Sequence, residues 1–170
     1  MPKHVLSFET LRKAGLSYLG RYAASTNAFK LVLQRKVKRI EGGSDNRSPE
    51  VDNWINEIVD RFTRARLLDD SLVAENLCSS LLRRGTSFKV IKAKLTAKGF
   101  ENAVISQVMN GLSGDADELE AAFVMARRKR LGPYRKKEDR ATNRSRDLRA
   151  MGQAGFTYSV SKTVIDSVDT

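Results

Sequence analysis

The chain has 170 residues, enough for one compact domain or for several small units in a row. Its 31 Lys and Arg residues outnumber 20 Asp and Glu residues, and the resulting charge of +11 favours polyanionic partners such as nucleic acid. A single cysteine excludes an intramolecular disulfide, and the absence of a run of about 20 apolar residues excludes a membrane-spanning helix. No export signal is visible, so we expect a cytoplasmic protein.

Residues 1 to 65 predict a first unit of three helices. Apolar residues spaced as on one helix face run from Leu11 to Tyr22 and again from Phe29 to Val37. Ser48-Pro49 then opens a third helix, because serine is a preferred N-cap and proline is tolerated in the first turn. The glycine-rich and polar segment EGGSDNRSPE, residues 41 to 50, predicts a long loop before this third helix.

Residues 66 to 114 predict a second unit of three helices. Asp69 and Asp70 offer an N-cap and favourable charge for the first helix, which stops at Gly85. Ser87 offers an N-cap for the next helix, whose apolar stripe ends at Leu95. The third helix of the unit follows and ends near residue 113.

The phrase LTAKGF, residues 95 to 100, has an echo in MGQAGF, residues 151 to 156. Both predict a Schellman helix end, in which the glycine is left-handed and the following apolar residue packs on the helix that it leaves. The chain therefore uses the same helix-turn-helix corner twice. The six corner residues are Leu95, Gly99, Phe100, Met151, Gly155 and Phe156.

Residues 115 to 170 repeat the same order of helices. Acids open a first helix and the run Arg127 to Arg130 closes it before Gly132-Pro133. A second helix from Lys136 to about Ala154 has few apolar residues, so we expect it to be marginal or stabilised by a partner. The segment TYSVSKTVI alternates as a strand would, but its match to the second unit favours a helix. The predicted fold is all-α, an elongated tandem array of about three three-helix units.

The chain lacks the side chains of common catalytic sites. His4 is the only histidine, which excludes a histidine triad or a pair of histidine metal ligands. Cys78 falls on an apolar helix stripe, where a buried and inert thiol is expected. Acids at 115 to 120 are explained by the helix dipole, and no phosphate-binding glycine loop is present. We expect a protein that is not an enzyme and that uses no cofactor, metal or small-molecule substrate.

Residues 127 to 149 carry 11 basic and 3 acidic side chains, the strongest charge feature of the chain. Arginine forks beside the ring of Tyr134 suit a surface that binds phosphates and stacks on a base, although a solvated helix face is the alternative. The candidate binding residues are Arg127, Arg128, Lys129, Arg130, Arg135, Lys136, Lys137, Arg140, Arg144, Arg146 and Arg149. A second group, which alternatively only borders an apolar stripe, is Lys89, Lys92, Lys94 and Lys98.

The segment RLLDDSLVAENLCSSLLRRGTSFKVIKAKLTAKGF, residues 66 to 100, resembles the RecX family of regulators of the RecA recombinase. The residues that carry the resemblance are Leu67 to Asp70, Ala74, Arg83 to Gly85 and Lys98 to Phe100. The closing GFTYSVSKTVI of the third unit is also similar to the family. Residues 26 to 40 depart from the family pattern.

This resemblance implies a curved, all-helical protein that lies in the groove of the RecA filament on single-stranded DNA. There it would damp filament growth, ATP hydrolysis and strand exchange, and so regulate DNA repair, recombination and the SOS response. We expect a monomer that binds RecA and contacts DNA by electrostatics. Two alternatives stay open: a stand-alone nucleic-acid-binding module, because such corners also occur in DNA-reading helix-turn-helix elements, and an adaptor for acidic proteins.

Overall fold

The structure, a computed structural model, describes residues 5–42, 48–112 and 114–168 of the chain. Within these ranges it contains helices and no strand, which confirms the all-α prediction. A 3₁₀ turn covers Gly132–Tyr134. The α-helices of the described residues are α1 Phe8–Leu19, α2 Thr26–Ile40, α3 Pro49–Arg64, α4 Asp70–Leu82, α5 Phe88–Ala97, α6 Asn102–Gly111, α7 Asp115–Lys129, α8 Lys137–Gln153 and α9 Tyr158–Ile165.

The chain divides into two compact units. The N-terminal unit comprises Met1–Val73 and Lys98–Phe100, and the C-terminal unit comprises Ala74–Ala97 and Glu101–Thr170. The array of three units at 1–65, 66–114 and 115–170 stays a prediction. His4 and residues 43–47 of the predicted loop lie outside the described residues.

Helices α1, α2 and α3 pack around one apolar core in the N-terminal unit. The ring of Phe29 in α2 is fully buried and its centroid lies 5.6 Å from that of Phe62 in α3. Gly15 of α1 leaves room for the ring of Phe29, because a Cβ at that position would lie 2.8 Å from Cζ of Phe29. The buried residues of this core are Leu11, Phe29, Leu33, Val37, Val51, Ile55, Ile58, Val59, Phe62 and Leu68.

Helices α7, α8 and α9 form the main core of the C-terminal unit. The short helix α9 packs on both α7 and α8, and it confirms the choice of helix over strand for TYSVSKTVI. Ala122 and Ala126 are fully buried on α7, where small side chains let α9 approach. The buried residues of this core are Ala121, Ala122, Ala126, Leu131, Met151, Phe156, Val160, Val164 and Ile165.

Two predicted helix starts are confirmed by their caps. The Ser48 hydroxyl accepts the N–H of Val51, with Pro49 as the first residue of α3. Asp69 Oδ1 accepts the N–H of Leu72 at 3.0 Å and so caps α4. Both caps satisfy an N–H group that lacks a partner within the first turn of a helix.

Helix α5 begins directly after Ser87, where the sequence predicted its start, and it has partners there that the sequence did not predict. The Ser87 hydroxyl donates to the carbonyl oxygen of Ala154 at 2.7 Å, and the Glu118 carboxylate accepts the N–H of Phe88 at 3.1 Å. The first turn of α5 is therefore held by contacts with α7 and with the corner after α8. We call this arrangement the α5 junction.

The start of α2 repeats this pair of contacts within the N-terminal unit. The Ser25 hydroxyl donates to the carbonyl oxygen of Lys98 at 2.7 Å, and Asp70 Oδ1 accepts the N–H of Thr26 at 2.8 Å. Ser25 also caps α2 by accepting the N–H of Ala28. In this α2 junction, as in the α5 junction, a buried serine binds the carbonyl before a corner glycine.

Backbone conformation favours glycine at both corners, and lack of space also requires it at Gly155. Gly99 has φ of +80° and Gly155 has φ of +90°, in the region that favours glycine. A Cβ on Gly155 would lie 2.6 Å from Oγ of Ser87, and one on Gly99 would lie 3.4 Å from Oγ of Ser25. Gly155 thus lets its corner approach Ser87, whereas a Cβ on Gly99 would make an ordinary contact with Ser25.

Candidate nucleic-acid interface

The basic segment, residues 127–149, lies in the C-terminal unit and runs from the last turn of α7 through the 3₁₀ turn into α8. Helix α7 ends at Lys129, within the basic run and before Gly132-Pro133 as predicted, and Arg130 is left-handed with φ of 54°. Arg127 to Arg130 are all exposed there. Cations at a helix C-terminus are stabilised by the helix dipole, so this cluster is favourable even without a ligand.

A buried aspartate, Asp147, holds the 3₁₀ turn against α8. Its side chain is 0% exposed, and its Oδ2 accepts the N–H of Gly132 at 2.8 Å. Arg135 binds both carboxylate oxygens of Asp147 at 2.7 Å. The turn is also fixed on its other side, because a Cβ on Gly132 would lie 2.8 Å from Cα of Ile165 in α9.

The charges of this pair stabilise one another. Burial opposes ionisation of Asp147, but the hydrogen bonds from Arg135 and from the Gly132 N–H outweigh burial and lower the pKa of the carboxyl. The hydrogen bond to Asp147 likewise raises the pKa of Arg135. The sequence did not single out Asp147. Its i, i+4 spacing from Met151 places both residues on the same face of α8, and this spacing is the signal that could have indicated a buried aspartate.

Arg140 also binds the turn. Its Nε donates to the carbonyl oxygen of Arg135 at 3.1 Å, and its Nη2 donates to the carbonyl oxygen of Pro133. Arg135 and Arg140 are therefore engaged in holding the turn, in which Tyr134 is 37% exposed. In this structure both arginines hold the turn that contains Tyr134.

Arg144 binds Asp166, just beyond the end of α9, through two parallel hydrogen bonds. Its Nε lies 2.7 Å from Oδ1 and its Nη2 lies 2.7 Å from Oδ2. The side chains are 42% and 36% exposed. The hydrogen bond to Arg144 lowers the pKa of Asp166, and Asp166 raises the pKa of Arg144.

Arg128 has an internal contact at the other end of the segment. Its Nη1 donates to the carbonyl oxygen of Arg84, just after α4, while Arg84 itself binds Ser80. The remaining candidates of the basic segment are exposed. They are Arg127, Lys129, Arg130, Lys136, Lys137, Arg146 and Arg149.

The second group of candidate lysines is divided. Lys89, Lys92 and Lys94 are exposed on α5 in the C-terminal unit, whereas Lys98 is an exposed residue of the N-terminal unit. The backbone carbonyl of Lys98 accepts the Ser25 hydroxyl, which gives this residue a structural part in the α2 junction. The corner residues Leu95, Phe100, Met151 and Phe156 are buried.

The described residues offer basic side chains but few groups suited to catalysis. No cluster of three His, Cys, Asp or Glu side chains that could hold a metal occurs among them. Burial raises the pKa of the Cys78 thiol, and the nearby charge of Glu75 adds to the effect. Across the same residues, no helix is both long and apolar enough to cross a membrane.

Fold and site together define a basic, all-helical protein whose candidate interface is built from arginine and lysine. No protein-family model matches the chain. The chain is 37% identical to the regulatory protein RecX of Myxococcus xanthus, over 92% of this chain and 84% of that protein. The chain belongs to the RecX family of regulatory proteins.

More distant relatives agree with this assignment. Regulatory protein RecX of Lactococcus lactis subsp. lactis is 25% identical over 71% of this chain and 45% of that protein. The one from Agrobacterium fabrum is 27% identical over 59% and 52%. The crystal structure of RecX from Lactobacillus salivarius has the same fold, with a TM-score of 0.67, 17% identity and coverage of 93% of this chain and 94% of that one.

Proposed function

We propose that this chain is a regulator of the RecA recombinase. It binds in the groove of the RecA filament on single-stranded DNA and limits filament growth, ATP hydrolysis and strand exchange, mainly as an inhibitor without catalytic activity of its own. Membership of the RecX family of regulatory proteins carries this proposal. A protein with this partner acts in the cytoplasm, in DNA repair and recombination.

The exposed side chains of the basic segment supply the charge that such a partner requires. Phosphates of DNA and acidic groups of a filament both attract guanidinium and ammonium groups, and each neutralised phosphate releases counterions. Arg127, Arg146 and Arg149 are exposed and belong to two different helices. We assign them the main contacts, whereas Arg135 and Arg140 position the turn between those helices.

The experiment is ATP hydrolysis by the RecA of the same organism on single-stranded DNA, titrated with the protein at physiological salt. We expect inhibition at substoichiometric protein, because a protein lying along a filament acts on many protomers. The variant Arg127→Ala/Arg146→Ala/Arg149→Ala should need about tenfold more protein for the same inhibition, as expected for three lost phosphate contacts of modest strength.

The matched control removes three positive charges from α5, in Lys89→Ala/Lys92→Ala/Lys94→Ala. These lysines are themselves candidate contacts, so an equal loss in both variants would mean that the basic segment has no special role. Undiminished inhibition by the first variant would contradict the proposed contacts. Absence of inhibition by the folded wild-type protein would contradict the proposed function itself.

A second candidate function is a stand-alone module that binds nucleic acid without sequence preference. The exposed Arg127 to Arg130 cluster favours it, because such a cluster binds phosphates without any protein partner. Binding to bare DNA is shared by both candidates and does not separate them. Binding to the assembled RecA filament at a salt concentration that abolishes binding to bare DNA would favour the regulator.

A further inference from the structure

Arg135, Arg140 and Arg144 of the basic segment have internal partners of different kinds. Arg135 binds buried Asp147, and Arg140 binds backbone carbonyls of the turn, so both hold the fold. Arg144 instead binds an exposed carboxylate, that of Asp166. An exposed ion pair adds little to stability, so Arg144 can leave its partner at a small cost.

The Arg144–Asp166 pair has the geometry of phosphate recognition. Two parallel N–H···O bonds of 2.7 Å join Nε and Nη2 to two oxygens of one anionic group. A guanidinium presents the same fork to a phosphate as to a carboxylate. The fork of Arg144 is therefore already oriented for a phosphate, and the carboxylate of Asp166 occupies the position that a phosphate would take.

An exposed tyrosine belongs to the helix that Asp166 follows. Tyr158, the first residue of α9, is 68% exposed. After the larger effect of Asp166, the phenol of Tyr158 also interacts with Arg144 and raises the pKa of the guanidinium. An exposed ring next to an arginine is the combination by which proteins bind single-stranded nucleic acid, because the ring stacks on a base while the cation binds the adjoining phosphate.

We propose that Arg144 and Tyr158 form a binding position for one nucleotide of single-stranded DNA, and that Asp166 is an internal competitor for its phosphate. Binding exchanges the carboxylate of Asp166 for the phosphate on the same guanidinium fork. The aspartate keeps the free protein from binding DNA tightly. This proposal rests on the proposed function only in that it assigns DNA contacts to the basic segment.

The test is binding of a short fluorescein-labelled oligodeoxythymidine, followed by fluorescence anisotropy. Asp166→Asn is expected to tighten binding about fivefold, because the competing charge on Arg144 is removed while the side-chain shape is kept. In the Arg144→Ala background the same substitution should change affinity less than about twofold. Arg144→Ala alone should reduce the dependence of log K on log salt by about 0.7, the value of one phosphate contact on a single strand.

The control Glu138→Gln removes one exposed negative charge from the first turn of α8. Equal tightening by Glu138→Gln and Asp166→Asn, or tightening by Asp166→Asn that persists without Arg144, would overturn the competitor role. Both results would show a general effect of net charge instead.

The role of the ring is tested separately. Tyr158→Ala should weaken binding of the thymidine oligomer about fivefold and leave binding of an abasic oligomer unchanged, whereas Tyr158→Phe keeps the ring and should bind as the wild type does. Equal effects of Tyr158→Ala on both oligomers would overturn the stacking role. Inhibition of RecA ATP hydrolysis is measured in parallel. If the protein inhibits RecA but substitutions at Asp166 and Tyr158 leave the oligomer affinities unchanged, this inference is refuted and the proposed function is not.

Discussion

The hydroxyl of Ser87 donates a hydrogen bond of 2.7 Å to the carbonyl oxygen of Ala154, 67 residues further along the chain. Ser25 makes the same bond to the carbonyl oxygen of Lys98, 73 residues away. In both cases the acceptor residue precedes a left-handed glycine, and the residue after the serine binds a later carboxylate. The echo between LTAKGF and MGQAGF thus corresponds to a repeated tertiary contact and not only to a repeated helix end.

Ser87→Ala should destabilise the protein by about 1 to 2 kcal/mol, because the partly buried carbonyl oxygen of Ala154 loses its donor. Urea unfolding followed by circular dichroism measures this change. Ser79→Ala, at an exposed position of α4, is the control and should be within about 0.5 kcal/mol of the wild type. Equal stability of the two variants would contradict a stabilising role for the junction.

Gly155→Ala should be clearly more damaging than Gly42→Ala. Both glycines have positive φ, so both variants suffer backbone strain of about 1 kcal/mol. Only the Cβ at 155 would meet a neighbour, at 2.6 Å from Oγ of Ser87, while nothing lies within 4 Å at Gly42. In the same unfolding experiment, the free energy of unfolding should therefore fall by at least about 1 kcal/mol more in Gly155→Ala than in Gly42→Ala, because of the cost of overpacking.

Comparable losses in the two glycine variants would show that strain alone accounts for the effect. A further variant, Gly155→Ala with Ser87→Gly, removes the atom that the new methyl group meets. Its loss of unfolding free energy should be smaller than the sum of the losses in the two single variants, because the effects of substitutions at contacting residues are not additive.

Asp147→Asn should destabilise the C-terminal unit by about 2 to 3 kcal/mol at neutral pH, since it removes the charge that a partly buried arginine faces. The folded-state pKa of Asp147 is lowered, so its contribution is fully present above the ordinary value of 3.8 and is lost as the pH falls below it toward the folded pKa. When the pH is lowered from about 7 to about 2, the midpoint of unfolding should fall less steeply for Asp147→Asn than for the wild type.

The control for this experiment is Asp166→Asn, which removes an exposed partner of Arg144. It should reduce stability only slightly at neutral pH, because exposed pairs are screened by solvent. A loss as large as that of Asp147→Asn would contradict the different roles assigned to the two aspartates.

Cys78 should react slowly with a thiol reagent such as dithionitrobenzoate while the protein is folded. Its side chain is buried and burial raises its pKa, so little thiolate is exposed to the reagent. Full reaction is expected only under unfolding conditions, measured by absorbance at neutral pH. Rapid and complete reaction of the folded protein would mean that α4 opens readily around this residue.

Local signals in the sequence predicted helices and their ends well. Ser48-Pro49, Asp69 and the corner glycines act on neighbouring residues, so their spacing along the chain was sufficient. The hydrogen bond from Ser87 to Ala154 could not be predicted in this way, because Ala154 is far away in sequence. A serine before a helix is also expected to cap that helix, so its local pattern does not indicate a distant partner. Local patterns do not contain that information.

The candidate site was less predictable for a related reason. Composition placed the positive charge correctly in residues 127–149, but it could not separate arginines that hold the fold from those that face solvent. That distinction depends on where Asp147 and Asp166 lie in three dimensions. An arginine-rich segment thus predicts a binding surface, while the arginines with internal partners are identified only by the structure.

The two junctions also set an order of events during synthesis. The ribosome makes Ser87 and Phe88 before it makes Glu118 and Ala154, so the first turn of α5 emerges without the groups that complete it. The same holds for Ser25 and Thr26, which are made before their partners Lys98 and Asp70. Each junction can therefore close only after its later partners are made, the α2 junction after Lys98 and the α5 junction after Ala154. A nascent chain released before residue 154 would leave α5 without its final partner.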